Sequence, residues 1–182
     1  AHQTLRVVEN VLALRSGLAE KRHVPSLNWD GSYSGYNDEL AGHFEEEVDA
    51  DWRSIIQRMG DILQKDGDLQ ETVQLVGKDA LPDRERLTLE IGTMVKQFYL
   101  QQNAFHPVDE YSSPEKTYHI LETILDWADE AYDALDDGAM VEDIISLSSK
   151  NQISEMATSE EFLEVKEKIK NQMNEEFEEV TE

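Results

Sequence analysis

A mainly α-helical protein is what this 182-residue sequence predicts. The expectation is a helical bundle over residues 37–182, preceded by one helix and an extended segment within residues 1–36. Apolar residues recur at steps of three and four along most of the chain, the starts and stops of those stripes carry capping residues, and composition changes abruptly near Tyr36. Residues 1–36 hold four bases and three acids, so at a total charge of −24 the other 146 residues carry −25. Asn37 to Asp51 alone contains seven acids and no base. The step divides the chain into an opening region and a helical domain. The alternative is a chance imbalance within a uniformly acidic protein.

Taken in order, Thr4 to Arg22 reads as an apolar helix, followed by the extended Val24-Pro25-Ser26-Leu27-Asn28-Trp29. Pro25 biases Val24 away from helix, so the chain must turn there. Trp52, Ile55, Ile56, Met59, Ile62 and Leu63 share one helical face. Gly67 is expected to punctuate that helix, with Leu69 to Val76 forming a short second one. After the Leu81-Pro82 break, Leu87, Ile91, Met94, Val95 and Phe98 make a third stripe. The fourth opens on Ser113 as N-cap, with Pro114 at the first helical position and Glu115 favouring the positive helix end. Tyr118, Leu121, Leu125, Ala128, Tyr132 and Leu135 line it until Gly138 stops it, and Met140, Val141, Ile144 and Ile145 continue the apolar face. Thr158 and Glu161 have capping-box spacing ahead of a last helix along Phe162, Val165, Ile169 and Met173. Its acidic tail, Asn174 to Glu182, is expected to fray.

Several function classes are excluded. A net charge of −24 repels a phosphate backbone, so nucleic acid is not an expected partner. No apolar run of about 18 residues exists to span a membrane, and no signal-peptide pattern opens the sequence. Zero cysteines remove disulfides, thiolate zinc sites and cysteine nucleophiles. Gly77-Lys78-Asp79 lacks the upstream glycine and following Ser/Thr of a phosphate loop. His23, His43, His106 and His119 never fall at i, i+4, and Lys65-Asp66-Gly67-Asp68 lacks the ladder of a calcium loop. Neither catalytic nor metal-binding residues are assigned. From physics alone the chain is an acidic helical interaction module. One stretch differs: Leu100-Gln101-Gln102-Asn103-Ala104-Phe105-His106-Pro107-Val108-Asp109 ends a helix with amides, an aromatic ring and a proline. Phe105 either anchors the core at a helix end or offers a flat face to a ligand such as adenine.

Thr4-Leu5-Arg6-Val7-Val8, Arg22 to Trp29, Ser32-Tyr33-Ser34 and Tyr36 resemble the end of the nucleotide-binding domain in the catalytic chain of archaeal and vacuolar-type rotary ATPases, their A subunit. The likeness continues through Leu69-Gln70-Glu71, Val73 to Gly77, Ala80-Leu81-Pro82 and Arg86 to Glu90. It is most specific at Phe98 to Asp109, and weakens after about Ile153.

The resemblance implies that the chain is the C-terminal third of a catalytic subunit that makes or hydrolyses ATP. Its helical domain would couple to a central rotor stalk, in a ring where A-type and B-type subunits alternate. In the intact subunit the cofactors would be ATP or ADP with Mg²⁺; this piece would need none, and without the upstream phosphate loop it should be inactive. Carried over, Phe105 stacks on adenine, Gln102, Asn103 and Ala104 line the pocket, and Val24 with Pro25 forms the opposite wall. Family members usually carry Phe at the Val24 position. Losing that ring removes about 0.5–1.5 kcal/mol of aromatic pairing, or roughly two- to twelvefold in purine affinity. Val11-Leu12 where the family favours Phe-Trp, and Arg15 where it favours Asp, bear on the first helix. The rotor contact would be the Lys78–Glu85 turn, through Asp79, Leu81, Pro82, Asp83 and Glu85, although alone these residues also read as a solvated loop. Localisation would be peripheral, on the cytoplasmic face of a membrane, as part of the complex. The alternative is a free-standing acidic helical adaptor, which would expect a start methionine near Ala1 and no phosphate loop upstream.

Overall fold

The computed structural model describes residues 10–14, 27–34, 37–101, 106–109 and 112–181. The opening region holds a strand β1 (Asn10–Leu14) paired antiparallel with β2 (Leu27–Ser34). The register runs from Asn10↔Ser34 to Leu14↔Leu27, with an irregularity between Val11 and Ala13. The expected helix over Thr4–Arg22 is therefore corrected: its middle is a strand. A short apolar run satisfies either state on periodicity, and pairing with Leu27–Ser34 decides it. Leu27-Asn28-Trp29, expected to be extended, lies in β2.

From residue 37 onward the fold is helical. The order is α1 (Asn37–Glu47), α2 (Trp52–Val76), a 3-10 turn (Lys78–Ala80), α3 (Asp83–Met94) with a π-helical extension (Val95–Leu100), α4 (Pro114–Asp136), α5 (Val141–Ser146), α6 (Ser148–Thr158) and α7 (Phe162–Thr181). Helix α4 is the centre, in contact with α2, α3, α5, α6 and α7. The innermost side chains are Leu87 and Ile91 of α3, Ile124 and Trp127 of α4, Ile144 of α5 and Ile153 of α6.

The start and stop of α4 follow the sequence. Ser113 Oγ accepts from the Lys116 amide at 3.2 Å, with Pro114 at the first position. At the far end Gly138 takes φ 103°, Ala139 N–H donates to Ala134 O at 2.9 Å, and Gly138 N–H donates to Leu135 O at 3.2 Å. That pair of bonds is a Schellman stop, which glycine reaches without a Cβ penalty. An aromatic ladder fixes the opposite end: Phe44 stacks on Trp52 at 4.7 Å, and Trp52 on Tyr118 at 5.8 Å.

Four details differ from the sequence reading. Gly67 does not end a helix, because α2 runs unbroken for 25 residues. A helical glycine costs about 1 kcal/mol relative to alanine, and burying Ile55, Met59 and Leu63 against the bundle outweighs that. Helix α6 is an element that the apolar spacing does not announce. Thr158 closes α6 rather than capping α7, and its hydroxyl donates to Glu155 O at 3.3 Å. The Glu161 amide donates to Ser159 Oγ instead, at 3.1 Å. Finally, the acidic tail is helical to Thr181, because Phe177 is buried and meets the Trp127 ring edge-on at 5.7 Å.

Candidate functional site

The residues expected to carry function fall into two sets, of which the Asp79–Glu85 set lies at the start of α3. Gln102, Asn103, Ala104, Phe105, Val24 and Pro25 lie outside the described residues. What leads into the loop is described. Helix α3 widens into a π-helical turn over Val95–Leu100, a form that recurs at functional sites. Gln101 then leaves it in an extended conformation. The chain re-enters through a turn in which Asp109 N–H donates to His106 O at 3.1 Å. Burial pushes the Tyr99 phenol up to about 12. Burial likewise lowers the Lys116 amine, which donates to Ala157 O and so ties the start of α4 to the end of α6.

At the other end, α2 and α3 form a hairpin whose tip carries Asp79, Leu81, Pro82, Asp83 and Glu85. Gly77 takes φ 85° and its N–H donates to Val73 O at 2.9 Å, closing α2. Leu81 is 6 % exposed and pins the turn to the bundle, whereas Asp79, Pro82 and Asp83 are exposed and Glu85 is half-buried. Pro82 O accepts from the Glu85 and Arg86 amides at 2.9 and 3.0 Å, launching α3. The bases around the tip are all engaged. Lys78 lies 3.7 Å from Glu90, which also holds Lys150 at 2.6 Å. Arg84 bonds Asp136 at 2.7 Å and covers the Tyr132 ring at 4.6 Å. Arg86 reaches Asp83 at 3.4 Å and Glu142 at 2.7 Å. The Glu142 carboxyl is lowered chiefly by its bond from Arg86.

Sequence reasoning misses the apolar part of this end. Leu75 is 85 % exposed, Val76 57 % and Met140 66 %. Leu75 falls off the Leu69, Val73, Val76 line, and that spacing is the signal that could have found it. Equally illegible is the joint that makes the hairpin stiff. Asp66 of α2 is buried, its Oδ2 bonded to Lys96 Nζ at 2.6 Å, and it sits against Gly92 of α3. A shallow groove of about 650 Å³ lies between α2, the first turns of α3 and α4, over Ile62, Leu69, Pro82, Thr88 and Tyr132.

Gly77 and Lys78 are spent on closing α2 and pairing Glu90, so they form no phosphate cradle. Among the described residues no group of three or more His, Asp or Glu could hold a metal ion. No helix among them is long and apolar enough to cross a membrane. The described residues form an acidic helical domain with an exposed hairpin tip.

Comparison with known proteins gives that class a family. Residues 41–145 match the family described as the C-terminal domain of V and A type ATP synthase, and the chain belongs to it. It is 47% identical over 176 residues to the A subunit of the A-type ATP synthase of Haloquadratum walsbyi, covering 94% of this chain and 30% of that one. For the A subunit of the Methanopyrus kandleri enzyme the identity is 44% over 181 residues, covering 98% and 31%. For that of Natronomonas pharaonis it is 44% over 177 residues, covering 97% and 30%. The chain thus spans about 30% of the length of these curated relatives. In fold it is similar to a solved ATP synthase subunit, NeqB from Nanoarcheaum equitans, with a TM-score of 0.55 at 19% identity, over 68% of this chain and 29% of that one.

Proposed function

We propose that this chain is the C-terminal part of the catalytic A-type chain of a rotary ATP synthase, closing the adenine side of the nucleotide pocket and coupling it to the central stalk. The observation that supports this best is the route of α3. It starts at the exposed hairpin tip, is clamped to α2 through Asp66 and Lys96, and ends at the Gln101–Asp109 loop. With its π-helical extension it covers residues 83–100, about 27 Å at 1.5 Å per residue. A push at the tip is therefore delivered to the loop by a packed rod rather than a flexible linker.

In this reading Phe105 stacks on the base, Gln102, Asn103 and Ala104 line its edge, and Val24 with Pro25 covers the other face. In the same reading the phosphates and Mg²⁺ are held by the rest of the subunit. Turnover then requires the rest of the subunit, B-type neighbours in an alternating ring, and a peripheral position on the cytoplasmic face of a membrane.

The test is a charge reversal at the tip of the full subunit within the assembled complex. Asp83→Lys with Glu85→Lys is expected to lower torque-coupled turnover while nucleotide affinity stays unchanged. Coupled turnover equal to that of the parent complex removes the rotor role.

A further inference from the structure

Among the described residues Lys116, Lys150 and Lys166 are buried. Lys150 and Lys166 are each bonded to a glutamate, Glu90 and Glu122. Lys116 differs: its ammonium donates to a main-chain carbonyl, Ala157 O, although it is the most deeply buried of the three at 4 % exposed. Taking an ammonium out of water is costly unless bonds and opposite charge offset the loss. Here the offset comes from two sides. Ala157 lies in the last turn of α6, where carbonyls lack partners within the helix and the dipole favours a cation. On the other side the buried Asp109 carboxylate acts on the ammonium and opposes the lowering that burial causes, with a smaller share from Glu160.

Asp109 ends the Gln101–Asp109 loop, and its backbone is fixed as well. Its N–H donates to His106 O at 3.1 Å, and its carbonyl accepts from the Ser112 hydroxyl at 3.4 Å, one residue ahead of the Ser113 cap. The Lys116 amide donates to that cap. Lys116 thus sits where the loop's exit, the first turn of α4 and the end of α6 meet. A recess of about 290 Å³ is lined by Gln97, Phe98 and Gln101 at the loop's entrance, by Asp109 at its exit and by Ala157 of α6.

We infer that Lys116 is a positioning residue for the Gln101–Asp109 loop, holding the loop's exit against the end of α6. An ammonium has three donors and no acceptor, so it draws a carbonyl and a carboxylate toward one point, which an apolar side chain of similar length cannot do. Helix α6 lies beyond the matched residues 41–145, so the loop's support extends outside them. The inference rests on the proposed adenine contact of Phe105 and deepens it: Lys116 acts through the loop and not on the nucleotide.

The test compares ADP with inorganic pyrophosphate, which carries phosphates but no base, in equilibrium binding to the assembled complex containing the full subunit. Phe105→Ala is the reference. Lys116→Met is expected to weaken ADP binding by up to the roughly two- to twelvefold that the stacked ring is worth, and to leave pyrophosphate binding unchanged. Equal weakening of both ligands means a general structural role and overturns the inference. Parent-like ADP affinity in Lys116→Met, where Phe105→Ala weakens it, also overturns the inference but leaves the adenine contact standing. ADP binding unaffected by Phe105→Ala overturns both. Should Lys116→Met not assemble, Asp109→Asn, which leaves the bond to Ala157 in place, decides by the same criteria.

Discussion

At the scale of single residues, Gly92 and Asp66 show how closely α2 and α3 approach. A Cβ placed at Gly92 would stand 2.7 Å from Asp66 Oδ1 and 2.8 Å from its Cβ. The carboxylate cannot easily swing aside, because Lys96 holds its other oxygen and the side chain is buried. Gly60, on the same helix as Asp66, has nothing within 4 Å of the same construction. Alanine gains about 1 kcal/mol of helix propensity at either glycine, but overpacking costs about 1–3 kcal/mol. Gly92→Ala is therefore expected to lower the urea midpoint and Gly60→Ala to raise it. Equal shifts for the two would show that the α2–α3 joint is loose. In the sequence these two glycines look alike. Only the approach of another helix separates them.

At the scale of elements, α6 is the instructive case. Its first residues, Ser148-Ser149-Lys150, follow Leu147 with no side-chain cap of their own. The cap comes from α7. Glu176 accepts from the Ser149 amide at 3.0 Å, from Gln172 Nε2 at 2.8 Å and from the Ser148 hydroxyl. Burial works against its ionisation, but these bonds outweigh it and hold the carboxyl at about 2, below the ordinary 4.5. A carboxyl lowered in the folded state contributes stability that is complete above about 4.5 and disappears as the pH falls toward about 2. Glu176→Gln should thus cost about 1 kcal/mol near neutral pH, and the gap from the parent should close in that acid window. A gap that stays constant from pH 7 to pH 2 would mean the charge is not what matters. Ser148 and Ser149, which lie off the apolar stripes of the sequence, open a helix because Glu176 of α7 accepts from the Ser148 hydroxyl and the Ser149 amide. The capping box expected at Thr158 fails for a related reason: that threonine is already committed to the end of α6.

At the scale of the whole molecule the governing quantity is charge. With −24 on 182 residues, self-repulsion opposes the compact state. The cross-element pairs, Arg58–Asp129, Arg84–Asp136, Arg86–Glu142, Lys150–Glu90 and Lys166–Glu122, use five of the sixteen Lys and Arg side chains. Salt weakens both effects, but the long-range repulsion among unpaired carboxylates is the larger sum and is screened over about 3 Å at 1 M. The melting temperature is expected to rise between dilute buffer and molar potassium chloride, as scanning calorimetry would read it. A constant or falling value would show that paired charges dominate instead.

By itself the sequence determined the helical class, the α4 caps at Ser113 and Gly138 and the Leu81-Pro82 break, because these depend on local spacing and on residues with restricted backbone conformations; the family was legible only as a resemblance carried by long motifs such as Phe98 to Asp109. Tertiary structure decided the rest. It made β1 a strand, carried α2 through Gly67, folded α6, and buried Phe177 in a tail that reads as polar. It also set the Lys116 ammonium against Ala157 O at the end of α6. The reason is common to all five: each depends on a partner distant along the chain, and a periodic pattern encodes which face is apolar but not what will cover it.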